Sequence, residues 1–207
     1  MDMTLNQNAA AEMWRPVILT FESACSFDNP FLDVEIWAEF TGPSGRVIRR
    51  EAYWDGERIY RVSFAPTELG AWSYVIEAPE QTGLNGCTGR VEAVPYAGDL
   101  DLYRHGFIRV ADDSRMFAYS DGTPFFWLGD THWEFAYRES WDASNHPGMT
   151  SQFRGMVDLR AEQGFTVYQT NLRSDMGAGD RYWIDGGMAK GVEDVPNVAF
   201  YQRELDR

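Results

Sequence analysis

Cysteine is scarce in this chain: Cys25 and Cys87 are the only two among 207 residues. That excludes a disulfide-stapled scaffold, and no CxxC spacing suits a zinc site. The two thiols either pair across packed sheets or stay free and buried. Clustered cations are missing as well. Lys and Arg number 18 against 32 Asp and Glu, a formal charge of −14. A phosphate-binding surface needs runs of basic residues, so nucleic acid is not an expected partner. No apolar run approaches the ~18–20 residues of a membrane helix. The opening MDMTLNQNAAAE lacks the apolar stretch of a signal peptide. A soluble chain with no membrane partner, cytoplasmic by default, is the expectation. His105, His132 and His146 show no metal-ligand spacing, and no GxSxG, P-loop or dinucleotide fingerprint occurs. No metal and no cofactor are expected.

What is abundant is aromatic. Phe, Trp and Tyr make up 15% of the residues, with eight tryptophans, in a chain that is 44% hydrophobic. Sugar rings present flat C–H faces that stack on such side chains, which suggests carbohydrate as a partner. β-Sandwich cores use the same residues heavily, so composition leaves both readings open.

From Trp14 to about Pro95 the hydrophobic period is two. Between Phe31 and Phe40, Leu32, Val34, Ile36, Ala38 and Phe40 alternate with Asp33, Glu35 and Glu39, Trp37 being the apolar exception. This predicts a strand with one buried and one wet face. Tyr60, Val62 and Phe64 repeat the pattern, as do Trp72, Tyr74 and Ile76, and then Val91 and Ala93. Turn clusters GPSG (42–45), WDGE (54–57), ELG (68–70) and LNG (84–86) separate them. Short strands between glycine-rich turns, with no helix among them, imply an antiparallel, Ig-like β-sandwich.

The pattern changes after Pro95. YAGDLDLYRHG reads as loop, GFIRV and RMFAYS as short strands, and Asp121-Gly122 as a turn. Phe125-Phe126-Trp127-Leu128 is apolar on both faces, like a buried parallel strand ended by Gly129-Asp130. Thr150 or Ser151 then caps a helix with Phe153, Met156, Val157 and Ala161 on one stripe, and Gly164 closes it. A strand from Phe165 to Leu172 follows. Strand, helix, strand is a βαβ unit, the element of parallel sheets and barrels. A further helix opens at Pro196-Asn197 with Val198, Tyr201 and Leu205 as its stripe. A (β/α)8 barrel takes at least ~200 residues, so the 110 residues of 98–207 hold only its beginning.

The segment DGTPFFWLGDTHWEF, 121–135, resembles the opening of the barrel in apiosidase-like glycoside hydrolases. AEQGFTVYQTN, 161–171, is similar to that family's second strand, and the start at Pro196–Phe200 to its next helix. VEIWAEFTGPSG and YWDGERIYRVSFAPTELGAWSY resemble the small β-sandwich in front of such barrels. Residues 1–12, ahead of the resemblance, are expected to be a flexible tail; the resemblance implies an Ig-like sandwich at 13–97 and the first βα units of an incomplete TIM barrel at 98–207. It also implies glycoside hydrolysis, with the catalytic acid and nucleophile at the ends of later barrel strands, beyond Arg207. The chain alone is then expected to be inactive.

Glycosidases need two carboxyl groups flanking the scissile bond. Asp130 and Glu134 are the tempting local pair, but the resemblance makes Asp130 a substrate contact, and a backbone-capping aspartate is the ordinary alternative. Trp133 could stack on a sugar or plug the barrel mouth. Gln169 and Asn171 share a strand face and suit hydroxyl recognition, being both donors and acceptors, or form a satisfied core pair. His132 lines the pocket or lies on the surface. The Asp- and Gly-rich stretch 174–187 lacks the ligand pattern of a calcium loop and reads as a long loop. Residues 98–207 are expected to bury too little alone, so that they pack on the sandwich, self-associate through the incomplete barrel or remain poorly ordered. The competing reading is a non-catalytic carbohydrate-binding sandwich module; a protein-interaction module has no positive support.

Overall fold

The computed structural model describes residues 8–112, 115–132, 144, 147–148 and 151–170. The chain divides into two compact units, residues 1–109 with 118–123, and residues 110–117 with 124–207.

The first unit is a β-sandwich-like domain. Its larger sheet runs in the order β1-β8-β7-β3-β4 and its smaller sheet in the order β2-β6-β5. The strands are β1 (Asn8–Glu12), β2 (Val17–Glu22), β3 (Trp37–Thr41), β4 (Val47–Glu51), β5 (Tyr53–Trp54), β6 (Ile59–Phe64), β7 (Gly70–Glu77) and β8 (Thr88–Val94). The period-two readings over β6, β7 and β8 are what the strands bury. Tyr60, Val62 and Phe64 face Trp72, Tyr74 and Ile76, each at most 3% exposed, because one face of each pleated strand meets the opposite sheet.

The core is held by aromatic packing. Phe40 stacks on Phe64 with centroids 3.7 Å apart and planes 2° from parallel. Phe64 meets Trp72 edge-on at 5.1 Å, and Phe21 meets Tyr74 at 6.2 Å. Such pairs contribute about 0.5–1.5 kcal/mol beyond simple burial. The Trp72 indole N–H donates to the Glu68 carbonyl at 3.0 Å, so the largest core ring leaves no orphan donor. Tyr60 is different. Its hydroxyl has no partner among the described residues, and burial pushes it up to about 12, with Cys25 and Asp33 adding to the rise.

Three expectations are corrected here. Residues 8–12, assigned to the flexible tail, form β1, which pairs in parallel with β8 in the register Ala9↔Val91 and Ala11↔Ala93. Three alanines carry no alternation and little strand preference; the demand for them comes from the bare edge of β8. The strand read from Phe31 begins only at Trp37. Before it, Leu32 and Asp33 donate to the Asn29 carbonyl at 3.1 and 2.8 Å, a turn that leaves Leu32 44% exposed. Finally, YAGDLDLYRHG is not all loop: it holds a short helix, α1 (Asp101–His105).

The turn signals hold. Gly45, Gly56, Gly70 and Gly86 all sit at positive φ. Both cysteines are free, Cys25 half-buried and Cys87 buried.

Three two-residue strands, β9 (Arg109–Val110), β10 (Phe117–Ala118) and β11 (Pro124–Phe125), pair in the order β11-β10-β9. The second unit then holds β12 (Gly129–His132), α2 (Gln152–Glu162) and β13 (Val167–Thr170). β12 and β13 pair in parallel, so the βαβ unit read from the sequence is present. Its first strand, read at the apolar run 125–128, is found just after it, at Gly129–His132. Only Phe125 of the apolar run is in a strand, Phe126 and Trp127 are 75% and 51% exposed, and pairing begins at Gly129. An apolar run signals burial without setting register. Here register is set by Thr166, whose Oγ1 accepts from the Leu128 N–H at 3.0 Å and donates to the Phe126 carbonyl at 2.6 Å.

The helix caps as read. The Ser151 hydroxyl accepts from the Arg154 N–H at 3.1 Å, and Gly164 has φ of 81°. Phe153, Met156 and Val157 are half-buried, while Ala161 is exposed. The helix read at Pro196 lies outside the described residues. Among the described residues, no helix is long and apolar enough to cross a membrane.

Candidate functional site

The candidate site is the β12–α2–β13 unit, since it carries the residues singled out from the sequence. Parallel register sets Asp130 opposite Tyr168, and Thr131 opposite Gln169. Side chains alternate across a strand. One face therefore bears Asp130, His132, Tyr168 and Thr170; the other bears Thr131, Val167 and Gln169. Asp130 and Gln169, expected to share a substrate pocket, are on opposite faces.

Asp130 was expected to end its strand. It is instead the second residue of β12, and its carboxylate is occupied. Oδ2 accepts from Arg160 Nε on α2 at 2.6 Å, and Oδ1 accepts from the Thr131 N–H at 2.8 Å. Both side chains of the ion pair are about a quarter exposed, at 26% and 27%. The hydrogen bond from Arg160 holds the Asp130 carboxyl below the usual carboxylate range, the Thr131 N–H assists, and burial opposes. Arg160 is itself fixed: Nη1 donates to Gln163 Oε1 at 2.7 Å, and the guanidinium lies 5.1 Å from the centre of the Phe165 ring. A planar guanidinium suits both contacts at once, as a lysine ammonium would not.

Beside this pair, His132 Nδ1 lies 2.5 Å from the Tyr168 hydroxyl. Burial raises the Tyr168 phenol, the Asp130 charge adds to the rise, and Arg160 offsets part of it. His132 is thus not an isolated surface imidazole; among the described residues no group of three or more His, Cys, Asp or Glu could hold a metal.

Gln169 is exposed on the opposite face. Trp133, Glu134, His146, Asn171 and the 174–187 stretch lie outside the described residues. Arg160 and Tyr168 carry the network and were not singled out from sequence. The helix stripe was read for its apolar members, and an arginine 30 residues from Asp130 gives no local signal of pairing.

Similarity to known proteins agrees with this division. Residues 10–79 match the family described as a domain of unknown function, DUF5060. Residues 111–206 match the apiosidase-like catalytic domain. A crystal structure from Bacteroides vulgatus, described as a "putative glycoside hydrolase", matches with a TM-score of 0.69 and 23% identity over 97% of this chain. That likeness speaks to the fold, and the chain spans 38% of that protein's length. No protein of curated function matches this chain. By these matches, residues 111–206 are similar to the apiosidase-like catalytic domain and residues 10–79, in front of them, to DUF5060.

Proposed function

We propose that this chain is the front part of a glycoside hydrolase acting on polysaccharide or oligosaccharide, with β12–α2–β13 as the opening of a (β/α)8 barrel. The observation that carries the reading is the parallel pairing of β12 with β13 across α2, within the segment matched by the apiosidase-like catalytic domain. In such barrels helices lie outside and active sites gather at the C-terminal ends of the strands.

On that plan the face bearing Asp130 looks toward α2, and the face bearing Thr131 and Gln169 looks into the barrel. Gln169 is the described residue suited to a sugar hydroxyl, since an amide both donates and accepts. Trp133 and Asn171 are retained as substrate contacts. Asp130 is better cast as the anchor that ties α2 to β12 than as a sugar contact. Its lowered pKa also disqualifies it as the general acid, which must hold a proton near neutral pH. The carboxyl pair then comes from later strands of a longer protein, and this chain alone does not cleave.

The test is direct. A longer protein containing this segment should release sugar from aryl glycosides or plant polysaccharide, and mutating one carboxylate at a later strand end should abolish release. The 207-residue chain should release none. Cleavage by this chain at the rate of the longer protein would overturn the reading.

A further inference from the structure

We propose that the outward face of the large sheet in the first unit is a second glycan site, a trough that binds a short neutral oligosaccharide without cleaving it. The trough has a volume of about 590 Å³, within the range of small-ligand sites.

Strand register builds it. Thr41 lies opposite Ser73, Ser73 opposite Arg90, and Arg90 opposite Asn8, so one row crosses β3, β7, β8 and β1. Beside that row, Glu39 lies opposite Val75. All six line the trough. With neighbouring strands ~4.8 Å apart, a row across four strands runs roughly 14 Å, long enough for a short sugar chain lying across the strands.

The lining chemistry selects the occupant. Along this row the Thr41 and Ser73 hydroxyls and the Asn8 amide can each donate and accept and Arg90 donates only, while Glu39 beside it accepts only. Hydroxyl groups on a ligand answer all of them. One formal charge of each sign leaves the trough neutral, which suits an uncharged ligand, and the chain's net charge of −14 disfavours a polyanion. Val75, 41% exposed, supplies an apolar spot for the C–H face of a ring. Because these residues sit on paired strands, their spacing is set before a ligand arrives, which lowers the ordering cost of binding. The choice of a glycan among neutral polyols rests on the proposed function; the trough does not.

The experiment titrates the ¹⁵N-labelled 207-residue chain with cellohexaose, xylohexaose and arabinohexaose, with polygalacturonate as the anionic control. Saturable shifts of β3, β7 and β8 amides with at least one neutral hexasaccharide are expected. Val75→Arg and Arg90→Met should each weaken that binding tenfold or more, with unchanged circular dichroism. If either variant misfolds, the wild-type amide map still decides. Several results would overturn the proposal: no shifts with any neutral sugar, shifts confined to β12 and β13, tighter binding of polygalacturonate, or groove variants that change only self-association in sedimentation. Hydrolysis by a longer protein carrying Val75→Arg separates the two readings, because cleavage should survive when trough binding is lost.

Discussion

At the residue scale, single groups decide local geometry. Gly106 closes α1 with φ of 86° and ψ of −172°, a region essentially restricted to glycine. A Cβ there would meet Ser120 Cβ and Trp14 Cε2, both at 2.8 Å. Trp14 is held in turn by an edge-on contact with Phe107 at 5.2 Å. Gly106→Ala should therefore lower stability by about 1–3 kcal/mol, read as a lower midpoint in urea denaturation. Asp121 offers a second test. It accepts from the Thr123 N–H at 2.9 Å and pairs with His105 Nδ1 at 2.7 Å. The Thr123 N–H bond first, and His105 second, bring its carboxyl down to about 2. A depressed carboxylate stabilises the fold above its unfolded value, near 3.9, and that stabilisation fades as pH falls toward 2. Melting temperatures of wild type and Asp121→Asn should differ at pH 6 and converge near pH 2. A constant gap down to pH 2 would refute the assignment.

At the scale of elements, the contrast is between strands that bury a face and a helix held by polar links. Phe40 and Phe64 stack across the two sheets, so Phe64→Ala should cost about 3–5 kcal/mol through lost contact and the cavity left behind. Guanidinium unfolding followed by tryptophan fluorescence would show it. For α2, Ser151 satisfies one first-turn N–H, and Ser151→Ala should remove about 1 kcal/mol from the helix, seen as faster hydrogen exchange at Arg154. Arg160→Met keeps the length of the side chain but removes the partner of Asp130. The Asp130 carboxyl should then titrate higher, which carbon-detected NMR would record. An unchanged titration would mean that the ion pair is not what lowers it.

Much at this scale was legible in advance. The alternation over β6, β7 and β8 named the core, because a pleated strand with one wet face must alternate. The Ser151 cap and Gly164 close named α2, because orphaned helix-end groups demand those residues. β1 was not legible, since its alanines are ordered by an edge about 80 residues away. Nor was the register of β12. Phe126 and Trp127 look buried in sequence, yet a threonine hydrogen bond from Thr166 begins the pairing after them.

At the scale of the molecule, the described residues of the two units differ in how much they bury. Seventeen buried hydrophobic residues form the core cluster of the sandwich. Among the described residues of the second unit, only Phe125 and Ser151 fall below 9% exposure. Local stability follows buried apolar contact. Hydrogen exchange should therefore be slowest in β3, β6 and β7 and much faster in β12 and β13. Equal protection in both sets would contradict this view.

The amino-acid sequence by itself settled the kind of molecule this is: alternating strands between glycine turns, then a strand–helix–strand unit bearing the LGDTHW segment. Those features follow from neighbours a few residues apart, where period, capping and turn chemistry act. Only the tertiary structure decided that Asp130 answers Arg160 while Gln169 faces the other way, and that Asn8 joins Arg90, Ser73 and Thr41 in one row. Parallel pairing and sheet edges join residues tens of positions apart, and a shift of one residue in register moves a side chain to the opposite face.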